Sequence, residues 1–592
     1  MMMTSKLSMK WDLDSIFTGG SQSAELTDFI EGTEEWIEKL NQELESFGEN
    51  KTLDHLIPLL ETTREVRARI SEISAFISCL TAQDVTDKQA KQLVGKRNQL
   101  MAQVQKLSTT FSFSLAEVAD DTWEDWTQDK KVEPIAFVLN ELRDEARDKL
   151  PEEQEQLITD LAIDGYKGWG EMYNTIVGTM TVEFDGEELS VGQLENKLNS
   201  SDRSVRKRAF EKFEQAWHEK ADLFTDTLNH LAGFRLQMYK HRNWEDVLQE
   251  PLNYNRMSKE TLTAMWDTIT KNKPAFYKYL NRKAEQFKVD KLAWYDLEAP
   301  ISTEVQEVKY QDAAEMIEKQ FRSFSPRMAD FTNHAFKQSW IEAEDRPGKR
   351  PGGFCTSFPK SKESRIFMTY SGTASNMATL AHELGHAYHQ HVMDDIDQLN
   401  QGYAMNVAET ASTLAEMIVA DAAVEQAETK EERLTLVEDK IQRSVAFFMN
   451  IHARFLFETR FYEARKNGFV STEELNQLML EAQKEAYGDQ LSDYHPVFWA
   501  AKLHFHITGV PFYNFPYTFG YLFSLGIYAH AKTDQENFAS FYDALLQDTG
   551  RMTVEDLAKK HLDVDLEEES FWQRAIDLCI EDVEEFIKLT DK

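Results

Sequence analysis

Apolar positions recur every three to four residues along most of the chain, the spacing of amphipathic helices. In LDHLIPLLETTREVRARISEISAFISCL, Leu56, Leu59 and Leu60, then Val66, Ile70 and Ile73, return to one face; KQLVGKRNQLMAQVQKL repeats the pattern. This predicts helix from about residue 26 to residue 162, and again from about residue 191. Two stretches break the period. TVEFDGEELSV alternates around Asp185-Gly186 and predicts a β-hairpin. Residues 344–370, EDRPGKRPGGFCTSFPKSKESRIFMTY, place two strand-like pieces, GFCTSF and RIFMTY, on either side of a polar turn. A small sheet therefore leads directly into the helix that follows. No fixed-period repeat and no low-complexity tract interrupts the chain. The expected fold class is mainly α, with two parts, residues 1–190 and 191–592, and a boundary near residues 180–200.

The helix after the predicted sheet carries TLAHELGHAYHQHVM, with Ser371 to Ser375 (SGTAS) supplying N-cap candidates. Leu380, Leu384 and Tyr388 share a stripe with Met377 and His391, the expected core side. His382, His386 and His389 share another. Residues four apart lie one turn apart, so the imidazoles of His382 and His386 can meet one metal ion. Glu383 stands about 100° around the helix from His382. It can reach a water on that metal without ligating it. This is the HExxH arrangement, two zinc ligands and a general base. The bland alternative is a polar helix face with solvated histidines. His389 lies roughly 10 Å along the axis from His382, too far for both to reach one ion. Val392 stands where a metzincin would need a third histidine, so that class is excluded.

A third ligand can come from MNVAETASTLAEMIVADAAV, residues 405–424, which reads as one apolar helix. Glu409, Ser412 and Glu416 fall on one face of it. Two carboxylates on so apolar a helix are costly if buried unpaired, and a cation beside them removes that cost. His382, His386 and Glu409 leave a fourth tetrahedral position open, as catalytic zinc sites do, with Glu416 orienting a ligating imidazole. Downstream, KLHFHITGVPFYNFPYTFGYLFSLGIY crowds two histidines and four tyrosines into a glycine-punctuated aromatic stretch. Phenol or imidazole donors there can stabilise an oxyanion, although aromatic packing alone also accounts for such a segment.

Composition narrows the readings. Asp and Glu number 102 against 65 Lys and Arg, a formal net charge of -37, which sets aside nucleic acid and anionic membrane as partners. Three scattered cysteines, Cys79, Cys355 and Cys579, argue against a disulfide scaffold and for a reducing compartment. The opening MMMTSKLSMKWDLDSIF has no apolar core of a signal peptide, and no run approaches 18 apolar residues, so a cytoplasmic location is expected.

HELGH, VAETAS and FYNFPYTFGY, in this order and spacing and with RPGGFCTSF upstream, resemble the thimet oligopeptidase and oligoendopeptidase F family of zinc metallopeptidases, the oligoendopeptidase F branch most closely. The resemblance runs from KWDLDSIF to the acidic helix at the carboxy terminus. It implies a two-lobed helical fold around a deep channel that admits oligopeptides and excludes folded proteins. Residues 1–190 would form the N-terminal oligopeptidase domain and 191–592 the catalytic domain. It implies one zinc ion per chain on His382, His386 and Glu409, with Glu383 as the catalytic glutamate. His504 matches the substrate-binding histidine, with His506 as the alternative; Tyr513 and Tyr517 match the oxyanion and substrate tyrosines, and Tyr521 a further tyrosine of some branches. Strand 365–370 is where the resemblance implies pairing with substrate backbone along an open sheet edge. Oligomeric state and cleavage preference are open. Two other classes compete: a noncatalytic peptide-binding protein, and a carboxylate-bridged di-iron protein. The latter usually needs two Glu-x-x-His pairs, and only His386 has a glutamate three residues before it.

Overall fold

The computed structural model describes residues 6–301, 308–533 and 538–591, which hold twenty-five α-helices and two small sheets. The fold is mainly α, as the periodicity predicts. Residues 1–5 of the amino-terminal stretch lie outside the described residues.

Two hydrophobic cores organise the chain. The smaller is built by helices Ala24–Glu49, Leu53–Gln83 and Lys88–Ala116, with Leu56, Leu59, Val66 and Ile73 buried as their spacing requires. Ser23 and Asp87 cap two of these helices, accepting from the backbone N–H of Leu26 and Ala90. The larger core draws on Tyr173 and Ile176 and then on helices as far as Phe586. Within the larger core, Thr181–Phe184 and Glu187–Ser190 form the expected hairpin, which buries Phe184 and Leu189. Asp185 and Gly186 turn it with φ of 50° and 85°, the left-handed pair that a two-residue turn of this hand needs.

The second sheet joins the two cores. Phe354–Phe358 pairs antiparallel with Glu363–Phe367, and Ile341–Glu342 pairs parallel on the other side. Phe358 and Phe367, both fully buried, belong to the smaller core, while Ile366 and Met368 belong to the larger. Each such phenylalanine contributes roughly 1.5–3 kcal/mol by burial. Buried Glu72 accepts from the Lys360 backbone N–H at 2.9 Å and the Ser361 hydroxyl at 2.5 Å, tying the turn of this sheet to the amino-terminal helices.

The sheet order corrects one expectation. Strand 365–370 is not an open edge. Glu363–Phe367 is the central strand, and the N–H groups of Ile366, Met368 and Tyr370 donate to Trp340, Glu342 and Ala343 carbonyls. The free edge is Phe354–Phe358. Local pattern predicts both long strands, but not that residues 340–343, just after helix Pro326–Lys337, dock along the other side of the central strand.

Candidate active site

The histidine helix spans Ala374–Met393. Thr373 caps it, accepting from the Asn376 N–H, while the Asn376 side chain returns a bond to the cap backbone. Its neighbour, Thr410–Gln426, approaches at Gly385, the glycine of HELGH. A Cβ there would stand 2.5 Å from Ala411 O and 2.6 Å from Ser412 Cα, so the two backbones meet only because Gly385 has no side chain. Close approach draws His382 and His386 onto the carboxylates of the next helix.

The expected single helix over residues 405–424 is broken. Met405–Ala408 ends at Glu409, and a new helix starts at Thr410. The first-turn Asn406 N–H donates to Asn255 Oδ1 at 3.1 Å, and Gly520 packs where a Cβ would lie 2.9 Å from Asn406 O and 3.3 Å from Glu409 Cβ. Glu409 and Glu416 nevertheless face the histidines. Glu409 Oε2 lies 3.3 Å from His382 Nε2 and 3.5 Å from His386 Nε2. One ligand atom from each of the three residues falls within 4.8 Å of the others. Donors held at about 2.0–2.1 Å by one tetrahedral ion sit about 3.3 Å apart, so two of the three separations already match. The other nitrogen of His382 faces Glu416 Oε2 at 3.5 Å, and Glu416 Oε1 takes a 2.6 Å ion pair from Arg443. Ser412 donates to Glu409 Oε2 at 2.8 Å. Burial opposes charge on these groups, but the mutual contacts win: His382 is raised to about 10 by Glu409 and Glu416, and Glu409 is held far below the usual carboxylate range. A site that gathers two imidazoles and two carboxylates at this cost in desolvation fits a cation between them.

Glu383 sits beside this set, buried to 6% exposure, with Gly353 pressed against it. Burial raises its carboxyl above the ordinary value, and the pull of His382 and His386 opposes that shift. His389 shares the metal stripe but is fully buried, stacked on Tyr403 at 4.3 Å with Nε2 2.9 Å from Thr549 Oγ1. His391 packs on Phe331 with centroids 4.8 Å apart and faces Asp394. Neither meets the metal set. The stripe is open over its first turns and covered beyond them.

In the aromatic stretch, His504 stacks on Tyr513 (5.1 Å) and both approach Tyr517, which meets Tyr513 edge-on at 5.4 Å. All three are half-buried. Burial, and the nearby cations Arg454 and Lys502, pull His504 down to about 4, so it is neutral near pH 7. Burial raises the Tyr517 phenol, and Glu409 is among the charges that add to the shift. His506 is instead in the core, 1% exposed and stacked on Tyr173 at 4.1 Å. Tyr521 is not brought into the cluster: it is buried, stacked on Phe447, with its hydroxyl 2.9 Å from Ser444 Oγ. Sequence reasoning missed Glu458. Its buried carboxylate accepts from Phe512 N at 3.0 Å and Asn514 Nδ2 at 2.7 Å. It thereby holds Phe512 at φ 53°, a left-handed turn that costs a bulky residue energy and aims Tyr513. An acid inside the aromatic run ARFLFETRFY was the available signal.

The profile of peptidase family M3 matches residues 197–578, and that of oligopeptidase F matches 115–181. The chain belongs to peptidase family M3. It is accordingly a metalloendopeptidase of that family, and the three residues that could hold a cation, His382, His386 and Glu409, lie inside the M3 match. Among its relatives, the group B oligopeptidase PepB of Streptococcus agalactiae is 23% identical over 537 residues, 86% of each chain. An oligoendopeptidase F homolog of Lactococcus lactis is 22% identical over 99% of this chain and 98% of its own. The crystal structure of oligoendopeptidase-F from Enterococcus faecium superposes with a TM-score of 0.69 at 17% identity, over 95% of this chain and 98% of that one. That likeness extends the M3 fold over both cores. Among the described residues, no helix is long and apolar enough to cross a membrane.

Proposed function

We propose that this M3 peptidase is a zinc-dependent endopeptidase of oligopeptides, with His382, His386 and Glu409 holding one ion and Glu383 acting as general base. The observation that carries the reading is the convergence of two imidazoles and a carboxylate at ligand spacing beside a buried glutamate. Two nitrogen donors and one carboxylate suit zinc among the divalent ions. When bound, zinc supplies Lewis acidity at the scissile carbonyl. Glu383 removes a proton from the attacking water and delivers it to the leaving amine; its raised carboxyl brings it nearer the working pH of such a shuttle. Tyr513, Tyr517 and neutral His504 donate hydrogen bonds to the developing oxyanion and to substrate carbonyls. The free edge of Phe354–Phe358 pairs with the extended peptide, beside Gly353 and Glu383. Oligopeptide substrates also agree with the names of the relatives. Peptides thread a channel between the two cores, and folded proteins do not, since presenting a loop that deep costs about 5–15 kcal/mol of unfolding. Three free cysteines support a cytoplasmic setting.

The deciding variant is Glu383→Gln. It is expected to bind one zinc per chain and to lose about 10²- to 10⁴-fold in turnover, the usual contribution of a positioned base. His386→Ala is expected to lose both metal and turnover. Near-normal peptide hydrolysis by Glu383→Gln would remove Glu383 from its role.

A further inference from the structure

Arg454 stands at the start of helix Ile451–Lys466, directly after the π-turn Ala446–Asn450, in a cavity of about 340 Å³ also lined by Phe498, Tyr487 and Lys502. Several half-buried arginines of this chain pair with carboxylates: Arg242 with Glu155, Arg256 with Glu141, Arg443 with Glu416. Arg454 does not. Its Nε donates to Asn450 Oδ1 at 2.8 Å, and among the described residues no carboxylate lies within 4 Å of its guanidinium. Among the described residues, the Nη groups have no hydrogen-bond partner. In a chain with 102 acidic against 65 basic residues, a half-buried cation without a carboxylate is not a matter of scarcity.

The second cation is close by. The Arg454 guanidinium and the Lys502 ammonium each lie 5.3 Å from the centre of the Phe498 ring. Two acids also line the cavity. Glu195 meets Lys502 at 3.4 Å with its side chain half exposed, and Glu298 is exposed and does not pair with Arg454. The cavity adjoins the substrate-facing cluster, because Lys502 is two residues from His504, and Arg454 acts electrostatically on both His504 and Tyr517. Burial pulls the guanidinium down to about 10, outweighing the opposing pull of Glu298 and Glu195.

We propose that this cavity is an anion-reading subsite in which Arg454, supported by Lys502, takes a carboxylate of the bound peptide. The proposal rests on the peptidase reading above. A planar guanidinium with free Nη groups matches a carboxylate in a two-pronged bond, and a volume of this size accepts one residue of a peptide. The carboxylate is either the carboxy terminus of the substrate or an aspartate or glutamate side chain near the cut. In the first case the enzyme measures the distance from the chain end to the scissile bond; in the second it reads sequence.

The test uses neutral nine-residue peptides with an amino-terminal fluorophore, made as the free acid, the carboxy-terminal amide, and amides carrying either Glu or Gln at each position around the cut. Two quantities are measured: kcat/KM on zinc-loaded enzyme, and peptide affinity by anisotropy in a Glu383→Gln background, which needs no turnover. The expected result is an at least tenfold preference for the free acid, or for Glu over Gln at one position. That preference should collapse to less than twofold in Arg454→Met and be partly kept in Arg454→Lys. The ratio is taken within each variant, so a general loss of activity or of folded protein cancels. A preference that follows the terminus names the chain end as ligand; one that follows an internal Glu names the side chain. No preference in either series, or a preference unchanged in Arg454→Met, would overturn the proposal. Carboxylate discrimination in binding without any hydrolysis by the zinc-loaded enzyme would keep the subsite and remove the peptidase reading.

Discussion

Replacing Gly385 by alanine isolates the helix contact that assembles the site. The added Cβ would meet Ala411 O at 2.5 Å, whereas ordinary contact begins at 3.4 Å, so the helices must part by 3.4 minus 2.5, about 0.9 Å. The atoms in the way are backbone, so no rotamer change relieves them. Overpacking of this kind costs typically about 1–3 kcal/mol, and alanine recovers about 0.8–1.0 kcal/mol of helix propensity over glycine. The net loss of stability is therefore about 0–2 kcal/mol, a shift in Tm of no more than about 2 °C for a chain of 592 residues. The effect on the metal site is larger. Metal-ligand distances tolerate about ±0.2 Å, and the helix that moves carries His382 and His386 away from Glu409. Metal affinity is expected to fall at least 10- to 100-fold, as when a group that merely orients a ligand is removed, and turnover is expected to fall with it. The assay is metal content per chain by mass spectrometry across a chelator series, with turnover of a quenched fluorescent peptide and thermal melting on the same samples. A folded Gly385→Ala protein with native metal content at every chelator concentration and turnover within twofold would refute the argument.

Glu409→Ala is expected to weaken metal binding more than Glu416→Ala, whose loss should stay within about 10- to 100-fold because Glu416 meets Arg443 and the far nitrogen of His382; a chelator titration showing the reverse order would exchange their roles. The buried histidines His389 and His506 set an acid limit on stability. Each has an ordinary value of 6.5 in the unfolded chain and is pulled down to about 3 in the fold by burial. The stabilisation is thus fully present above pH 6.5 and is lost as pH falls towards 3, about 2 kcal/mol for each histidine by pH 5. His389→Gln should flatten the fall of Tm between pH 7 and pH 5 while keeping one metal ion per chain. An unchanged acid slope would show that His389 is not held neutral, and stoichiometric metal loss would make it a ligand.

His382, Glu383 and His386 were legible from sequence because helical spacing is local: four residues make a turn, whatever the rest of the chain does. Glu409 was legible for a related reason, since a carboxylate in so apolar a segment needs a partner. Family resemblance supplied His504, Tyr513 and Tyr517, which the residues alone left open against plain aromatic packing. The hairpin at Asp185-Gly186 and both long strands of the second sheet were written in turn chemistry and alternation. Other features depend on contacts between residues distant in sequence. Which edge of the second sheet is free follows from residues 340–343 docking on the central strand. The break at Glu409 lies where Asn255 and Gly520, both remote in sequence, pack on the short helix before it. The choice between His504 and His506 follows from Tyr173, more than 300 residues upstream, which claims His506 for the core. Tyr521 and Tyr517 are one helical turn apart, yet only Tyr517 reaches the cluster, because Ser444 and Phe447 take Tyr521. Periodicity determines which residues share a face of an element; what that face meets is decided only when elements from remote parts of the chain compete for it by close packing.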